Sequence, residues 1–262
     1  MPIVSIILPT IRPEEAREKI NAFEKTQGNF DYEIVIVSPF SFKGKKVCHI
    51  LEESPQGGVR ATQFGYENSL GEYICWWSDA AFPTKNCLSN MINFLKKKKP
   101  PYIGAFRIRD KKTKLELAQW RIYGKLYACW GCASRKTIEM VGGLFDINFN
   151  QYFADPDLAL RVWEKGGQVE VCPNAYIEIY RNKDKKRKEN FKKYFLKDFE
   201  TFVNRWHVKI GKCFKKDYYY INPPDFEYTT FMHFLPPFIK KHAIKIANYV
   251  YTNENFRTNP IL

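Results

Sequence analysis

The sequence predicts an α/β fold: a mostly parallel central sheet flanked by helices, followed by a basic helical C-terminal extension. Three observations carry that prediction. Short β-branched runs alternate with amphipathic segments over the first 180 residues, the pattern of βαβ units. Hydrophobic residues make up 45% and charged residues 27% of the 262-residue chain, which is enough to bury a sizeable core and too apolar for intrinsic disorder. Positive charge gathers at the end: residues 181–262 hold 18 Lys/Arg against 8 Asp/Glu, whereas residues 1–180 hold 24 against 20.

Taken in order, residues 3–8 form a β-branched run that stops at Pro9 and reads as a buried parallel strand. Arg12-Pro13-Glu14-Glu15 then opens a helix, with Pro near its start and acids in its first turn. Residues 32–37 repeat the buried-strand pattern, so the first forty residues read β-α-β. Gly57-Gly58 marks a turn, residues 59–70 a helix, and residues 73–77 a strand with Asp79 just beyond it. A helix over 84–97 is followed by strand-like segments at 102–109 and 115–121, a short helix at 135–141, a helix at 156–165 and a last strand at 168–172. From about Arg181 the chain turns Lys-rich, and Phe191, Phe195, Phe199, Phe202 and Trp206 recur at helical spacing. A boundary near 206/207 separates the main domain from the extension.

Composition narrows the function classes. No apolar run approaches the ~18–20 residues of a membrane span, and the first apolar run lacks a basic segment before it, so no signal peptide is expected. The seven cysteines are odd in number and widely spread, which points to reduced thiols in the cytoplasm rather than a disulfide framework. Cys129-x-x-Cys132 has zinc-like spacing but no second ligand pair. P-loop and dinucleotide glycine signatures are missing. A formal net charge of +14 suits anionic partners, and the tail carries the largest share. No nucleic-acid module motif accompanies it, so nucleic acid is not the expected partner.

Chemistry in open α/β sheets gathers outside the carboxyl ends of the strands. Pro9-Thr10, the loop after Val37 and Trp77-Ser78-Asp79 all fall there. Asp79 suits a divalent ion that also contacts a diphosphate, and equally a cap on the next helix. Tyr152-Phe153-Ala154-Asp155-Pro156-Asp157 offers a second pair of carboxylates. Asp155 is placed to be the N-cap with Pro156 at N1, or a general base, or both. Asp157 and Arg161 are four apart, which suits an ion pair along a helix.

The order of these pieces resembles the family 2 glycosyltransferases, which have the GT-A fold. Val4-Ser5-Ile6-Ile7-Leu8-Pro9-Thr10 resembles the opening strand and nucleotide loop. Gly71-Glu72-Tyr73-Ile74 followed by Asp79 resembles the segment leading into the DxD motif. Gly142-Gly143-Leu144-Phe145-Asp146 and then Tyr152 to Arg161 resemble the acceptor-side loop and the "ED" helix start, with Pro173-Asn174-Ala175 as the strand exit that follows. Asp198, Phe202 and Trp206 resemble a helix that follows the domain. The resemblance covers about residues 3–206. It implies inverting transfer of a sugar from a nucleotide-diphosphate donor to a glycan or lipid-linked acceptor, in glycan or surface polysaccharide assembly.

By residue, the resemblance makes Asp79 the last DxD carboxylate, holding Mn²⁺ or Mg²⁺, and Asp155 the base. Pro9, Thr10, Arg12, Arg60 and Ser78 would bind the nucleotide sugar. Trp130, Gly131 and Asp157 would meet the sugar or the acceptor. The departures are specific: Trp77 stands at the first DxD position, Ser38-Pro39 replaces an acidic pair, Ala154 replaces the Glu of the "ED" pair, and Glu178 stands near where a His is common. The alternative reading is a catalytically silent GT-A domain that binds or scaffolds. The basic aromatic tail is expected to pack on the domain or to dock peripherally on an anionic cytoplasmic membrane face.

Overall fold

The computed structural model describes residues 2–117, 119–122, 125–180 and 185–213. Strand β1 (Val4–Pro9) is central and fully buried from Val4 to Leu8. Helix α1 (Pro13–Gln27) follows, then β2 (Tyr32–Ser38), β3 (Val47–Leu51), α2 (Gly58–Glu67), β4 (Tyr73–Trp76), β5 (Ala81–Pro83) and α3 (Cys87–Leu95). The second half contains β6 (Tyr102–Asp110), the two-residue strands β7 (Arg121–Ile122) and β8 (Lys125–Leu126), β9 (Gly131–Ser134), α4 (Arg135–Met140), α5 (Ala154–Glu164), β10 (Gln168–Ile179) and α6 (Lys185–Cys213).

Eight strands form one sheet in the order β3-β2-β1-β4-β9-β6-β10-β5. Four of its seven pairings are parallel. The period-2 alternation of β1 divides the core between the two faces. Val4, Ile6 and Leu8 join the cluster containing Ala16, Ile20 and Phe23 of α1 and Leu88 and Met91 of α3. Ile7 faces the other way, with Val35, Ile138, Leu158 and Val162. Gly65 lets α2 lie close on this second face, because a Cβ there would sit 2.6 Å from Ile7 Cγ2.

Strand β9 shapes the functional edge. It inserts antiparallel between β4 and β6, with Gly131 opposite both Trp76 and Ala105. The chain therefore enters β9 at the edge where β4 ends, next to Ser78, while β6 runs on to Asp110. Gly131 is needed there: a Cβ would fall 2.3 Å from Trp76 Cζ2 and 2.7 Å from Ala128 Cβ. Gly131→Ala is expected to cost about 1–3 kcal/mol through overpacking, read as a lowered midpoint in urea unfolding.

Several sequence expectations need correction. The strand expected at 115–121 is reduced to a bridge between Arg109 and Glu116 and the short strand β7. Pro173-Asn174-Ala175 is no strand exit. It forms a bulge inside β10, where the register against β6 shifts between Val171 and Tyr176, and the strand then continues to Ile179. Asp155 is not the cap of α5: Phe153, at φ 65°, precedes the helix and Ala154 begins it.

Helix α6 is locked onto the domain through buried polar groups. Fully buried Asp198 accepts from the backbone N–H groups of Asn150, Gln151 and Tyr152 at 2.8–3.0 Å, and from Asn150 Nδ2 at 2.8 Å. Phe202 and Trp206, each 1% exposed, pack with Val59, Phe149 and Phe153. The expected boundary at 206/207 falls within α6. Residues 214–262, which carry most of the expected membrane-docking tail, lie outside the described residues. Among the described residues no helix is long and apolar enough to cross a membrane.

Candidate functional site

The site is assembled at the carboxyl edge of β1 and β4. β1 ends at Pro9, and the next turn is tied by Thr10, whose N–H donates to Val37 O at 3.0 Å and whose hydroxyl accepts from Arg12 N at 3.0 Å. The same hydroxyl donates to Asp79 Oδ2 at 2.8 Å. Arg12 closes on Asp79 as a fork, with Nε 2.9 Å from Oδ2 and Nη2 2.5 Å from Oδ1. Asp79 is 7% exposed while the Arg12 side chain keeps 33%. Bidentate guanidinium–carboxylate pairs of this kind are strong and directional.

The neighbouring positions explain why only one carboxylate stands here. Trp77 turns into the core, donating its indole N–H to Ala81 O at 3.0 Å and meeting Phe23 and Phe106 edge-on with centroids 5.0 and 5.2 Å apart. A carboxylate at 77 would be buried among rings. Ser78 is half-buried, and its hydroxyl accepts from the Trp130 indole N–H at 3.0 Å.

Through the 129–131 segment this edge reaches Asp155. The Cys129 thiol hydrogen-bonds the Asp155 carboxyl, and Trp130 holds Ser78. The Asp155 residue is partly exposed, but its carboxyl is surrounded by protein. That desolvation dominates and raises its pKa to about 6, against the opposing pull of the Cys129 hydrogen bond. A carboxylate poised there can take a proton near neutral pH.

Cationic and aromatic side chains flank Asp79 on the other side. Phe82 of β5 lies opposite Glu178 of β10. Lys19 Nζ sits 3.6 Å, and Lys111 Nζ 3.1 Å, from the Phe82 ring centroid. Lys19 is only 2% exposed. Burial lowers its pKa, with Glu18 and Asp79 opposing and Lys111 adding to the shift. Glu178, a candidate to share the site's acid work, is held by Lys114 Nζ at 2.8 Å from both oxygens.

Three expected site residues stand apart from this cluster. Asp157 is fully buried, and accepts from Arg161 Nε at 2.9 Å, Arg205 Nη1 at 2.9 Å and Trp206 Nε1 at 2.8 Å. No face of its carboxylate is left for an acceptor, so its role is structural: it joins α5 to α6. Gly131 is buried under the Trp76 indole rather than open to a sugar. Arg60 is exposed on α2, with Nη1 3.1 Å from Gln56 Oε1. It lines an open cleft of about 390 Å³ with Leu51, Glu52, Gln56 and Phe64, at the end of β3.

The residues do not fit the expected divalent ion. Both oxygens of Asp79 already face the Arg12 guanidinium. Among the described residues no group of three or more His, Cys, Asp or Glu is arranged to hold a metal. The Cys129-x-x-Cys132 pair also divides, since Cys129 meets Asp155 while Cys132 meets Cys75 across the β4–β9 pairing.

The chain matches no family model, and no curated protein matches its sequence. Solved structures do match. The mannosyltransferase PcManGT from Pyrobaculum calidifontis, in complex with GDP-Man and Mn²⁺, superposes with a TM-score of 0.61 at 14% identity, covering 98% of this chain and 82% of that one. GalNAc-T7 with UDP, GalNAc and Mn²⁺ gives 0.59 at 12% identity, covering 70% of this chain. S. aureus TarS 1–349 with UDP-GlcNAc gives 0.56 at 13% identity, also covering 70%. The chain spans only 44% of the GalNAc-T7 structure and 59% of the TarS one. The fold is that of the GT-A glycosyltransferases, as the resemblance in sequence implied.

Proposed function

We propose that this protein is a glycosyltransferase that moves a hexose or related sugar from a nucleotide-diphosphate donor to an acceptor hydroxyl by a single inverting displacement. One observation carries the reading: a carboxylate poised near pH 6, Asp155, is linked through Cys129, Trp130 and Ser78 to the Thr10–Arg12–Asp79 cluster at the ligand edge of a GT-A sheet. The GT-A neighbours crystallised with UDP, UDP-GlcNAc or GDP-Man support a nucleotide-sugar donor.

In the proposed reaction Asp155 accepts the proton of the acceptor hydroxyl. The acceptor oxygen forms a bond to the anomeric carbon from the face opposite the leaving group. The bond from that carbon to the diphosphate oxygen breaks, and its electron pair leaves with the nucleoside diphosphate. Thr10 and Arg12 would meet the diphosphate, and the Arg60 cleft would take the nucleoside. Trp130, half-buried at the same edge, offers its ring to the sugar. The acceptor would be a glycan or a lipid-linked glycan, and the basic extension would bring the enzyme to an anionic membrane surface.

Calorimetric titration with UDP, GDP, CDP and dTDP tests the donor half. One of the four is expected to bind, and Arg60→Ala to weaken it roughly three- to tenfold. Binding of none would overturn the reading. Binding without turnover of the matching nucleotide sugar would favour a silent GT-A binding module.

A further inference from the structure

We propose that the cleft at the end of β3 selects a guanine nucleotide: Glu52 accepts from the N1–H and the 2-amino group of the base, and Arg60 donates to its O6 and N7. This rests on the nucleotide-sugar reading above and deepens it by naming the base of the donor. The cleft lies where such a base would fall. β3, β2 and β1 are neighbouring parallel strands, so their carboxyl ends share one edge. Glu52 follows β3 directly, and its N–H donates to Ser38 O at the end of β2 at 3.1 Å. The cleft therefore stands two strand spacings, ~10 Å, from the turn after β1 that carries Thr10 and Arg12. A ribose and a diphosphate bridge a gap of that order.

Two opposite charges line this cleft without meeting. Gln56 stands between them: its backbone N–H donates to Glu52 Oε1 at 3.3 Å, and its side-chain oxygen accepts from Arg60 Nη1 at 3.1 Å. Among the described residues, Glu52 and Arg60 form no ion pair with each other or with any other side chain. Glu52 is half-buried, and burial raises its pKa against the pull of the Gln56 N–H, so the carboxylate gains from further donors. Leu51 and Phe64, 56% and 44% exposed, offer apolar surface to the faces of a planar ring. The volume of about 390 Å³ suits a nucleoside. The pattern of donors and acceptors then decides which one. A carboxylate matches two adjacent donors, which guanine carries at N1 and N2. A guanidinium matches two adjacent acceptors, which guanine carries at O6 and N7. Uracil and thymine offer one donor between two carbonyl oxygens, and those oxygens would repel Glu52. Cytosine sets its amino group beside an acceptor nitrogen. Glu53, exposed on the same rim, keeps that side of the cleft acidic and so favours the base richest in donors.

The test is calorimetric binding of UDP, GDP, CDP and dTDP to the full chain, followed by two analogues of GDP. GDP is expected to bind roughly tenfold or more tightly than the other three. IDP, which lacks the 2-amino group, should bind roughly tenfold more weakly than GDP, and 7-deaza-GDP, which lacks N7, roughly threefold. Glu52→Gln should weaken GDP roughly 10- to 100-fold and erase the preference for GDP over IDP. Arg60→Ala should erase the preference for GDP over 7-deaza-GDP. A side chain that only supports the fold would weaken every nucleotide alike. Circular dichroism confirms that the variants fold, and the analogue comparison on the wild type needs no variant. UDP, CDP or dTDP binding most tightly overturns the inference and leaves the donor reading intact. Equal affinity for GDP and IDP, or a GDP preference that survives in Glu52→Gln, also overturns it. No binding of any nucleotide overturns both.

Discussion

Asp155→Asn is expected to abolish sugar transfer and, at neutral pH, to make the fold more stable. Both effects follow from the enclosed carboxyl. As the proton acceptor, Asp155 contributes about 10²–10⁴ in rate, and an amide cannot replace it. As a desolvated acid it binds its proton more tightly in the folded chain, with a pKa of about 6, than in the unfolded one, near ~3.9. Its stability contribution is therefore complete below about pH 4 and is lost as the pH rises towards 6. Above that it is flat, with the fold up to about 3 kcal/mol less stable than at low pH on account of this group. The uncharged amide escapes that penalty and still has an oxygen for the Cys129 thiol.

Urea unfolding of both proteins from pH 4 to pH 8 reads the difference directly. The wild type should lose stability relative to Asp155→Asn as the pH rises. The comparison isolates Asp155 from Asp146 and Glu170, whose lowered pKa values act in the opposite sense. In the wild type, kcat should rise with pH through about 6. A variant that transfers sugar at the wild-type rate would move the base to another residue.

Asp198→Ala is expected to cost about 2–4 kcal/mol, because it strands four donors that now meet a fully buried carboxylate. The effect reaches the chemistry through the loop these donors belong to. Asn150 O accepts from Val59 N at 3.2 Å, and Gln151 Oε1 accepts from Gly58 N at 3.2 Å, so the loop braces the start of α2 and the Arg60 cleft. Gly57, at φ 109°, is required at that contact, since a Cβ would lie 2.6 Å from Asn150 O. The same loop runs on into Asp155. Asp198→Asn keeps one acceptor oxygen and should lose about half as much. Both variants should lower kcat more than the unfolding midpoint alone explains, measured well below that midpoint. Wild-type kcat in a destabilised Asp198→Ala would confine Asp198 to stability.

Much of the fold is legible where one physical signal dominates. The runs at β1, β2 and β4 are buried on both faces, so they read as unbroken β-branched and aromatic strings. The i to i+4 spacing of Asp157 and Arg161 gives their pairing directly. β3 escaped because an edge strand with only partial burial, Val47–Leu51, carries no such run. The second half of β10 was hidden by Pro173, which looks like an ending and is a bulge. β5 is three residues long, too short for any periodicity.

The candidate site shows the same divide. The sequence places Asp79 and Asp155 at strand and helix boundaries, where they are found. It does not show that Arg12, 67 positions from Asp79, would take that carboxylate, because nothing local marks a long-range ion pair. Lys19 reads as one more solvated helical lysine, and only the packing of α1 against β5 buries it. Asp157 and Asp155 look alike in sequence. The arrival of Arg205 and Trp206 from α6 is what makes one structural and leaves the other available.

The most direct test of the central claim is turnover. Purified protein is incubated with UDP-, GDP-, CDP- and dTDP-linked sugars, and released nucleoside diphosphate is measured for the wild type and Asp155→Asn. The account predicts release from donors of one nucleotide class by the wild type, with little or none from the variant. Release that is equal in the two proteins, or absent from the wild type with every donor even when glycan acceptors are supplied, would contradict it.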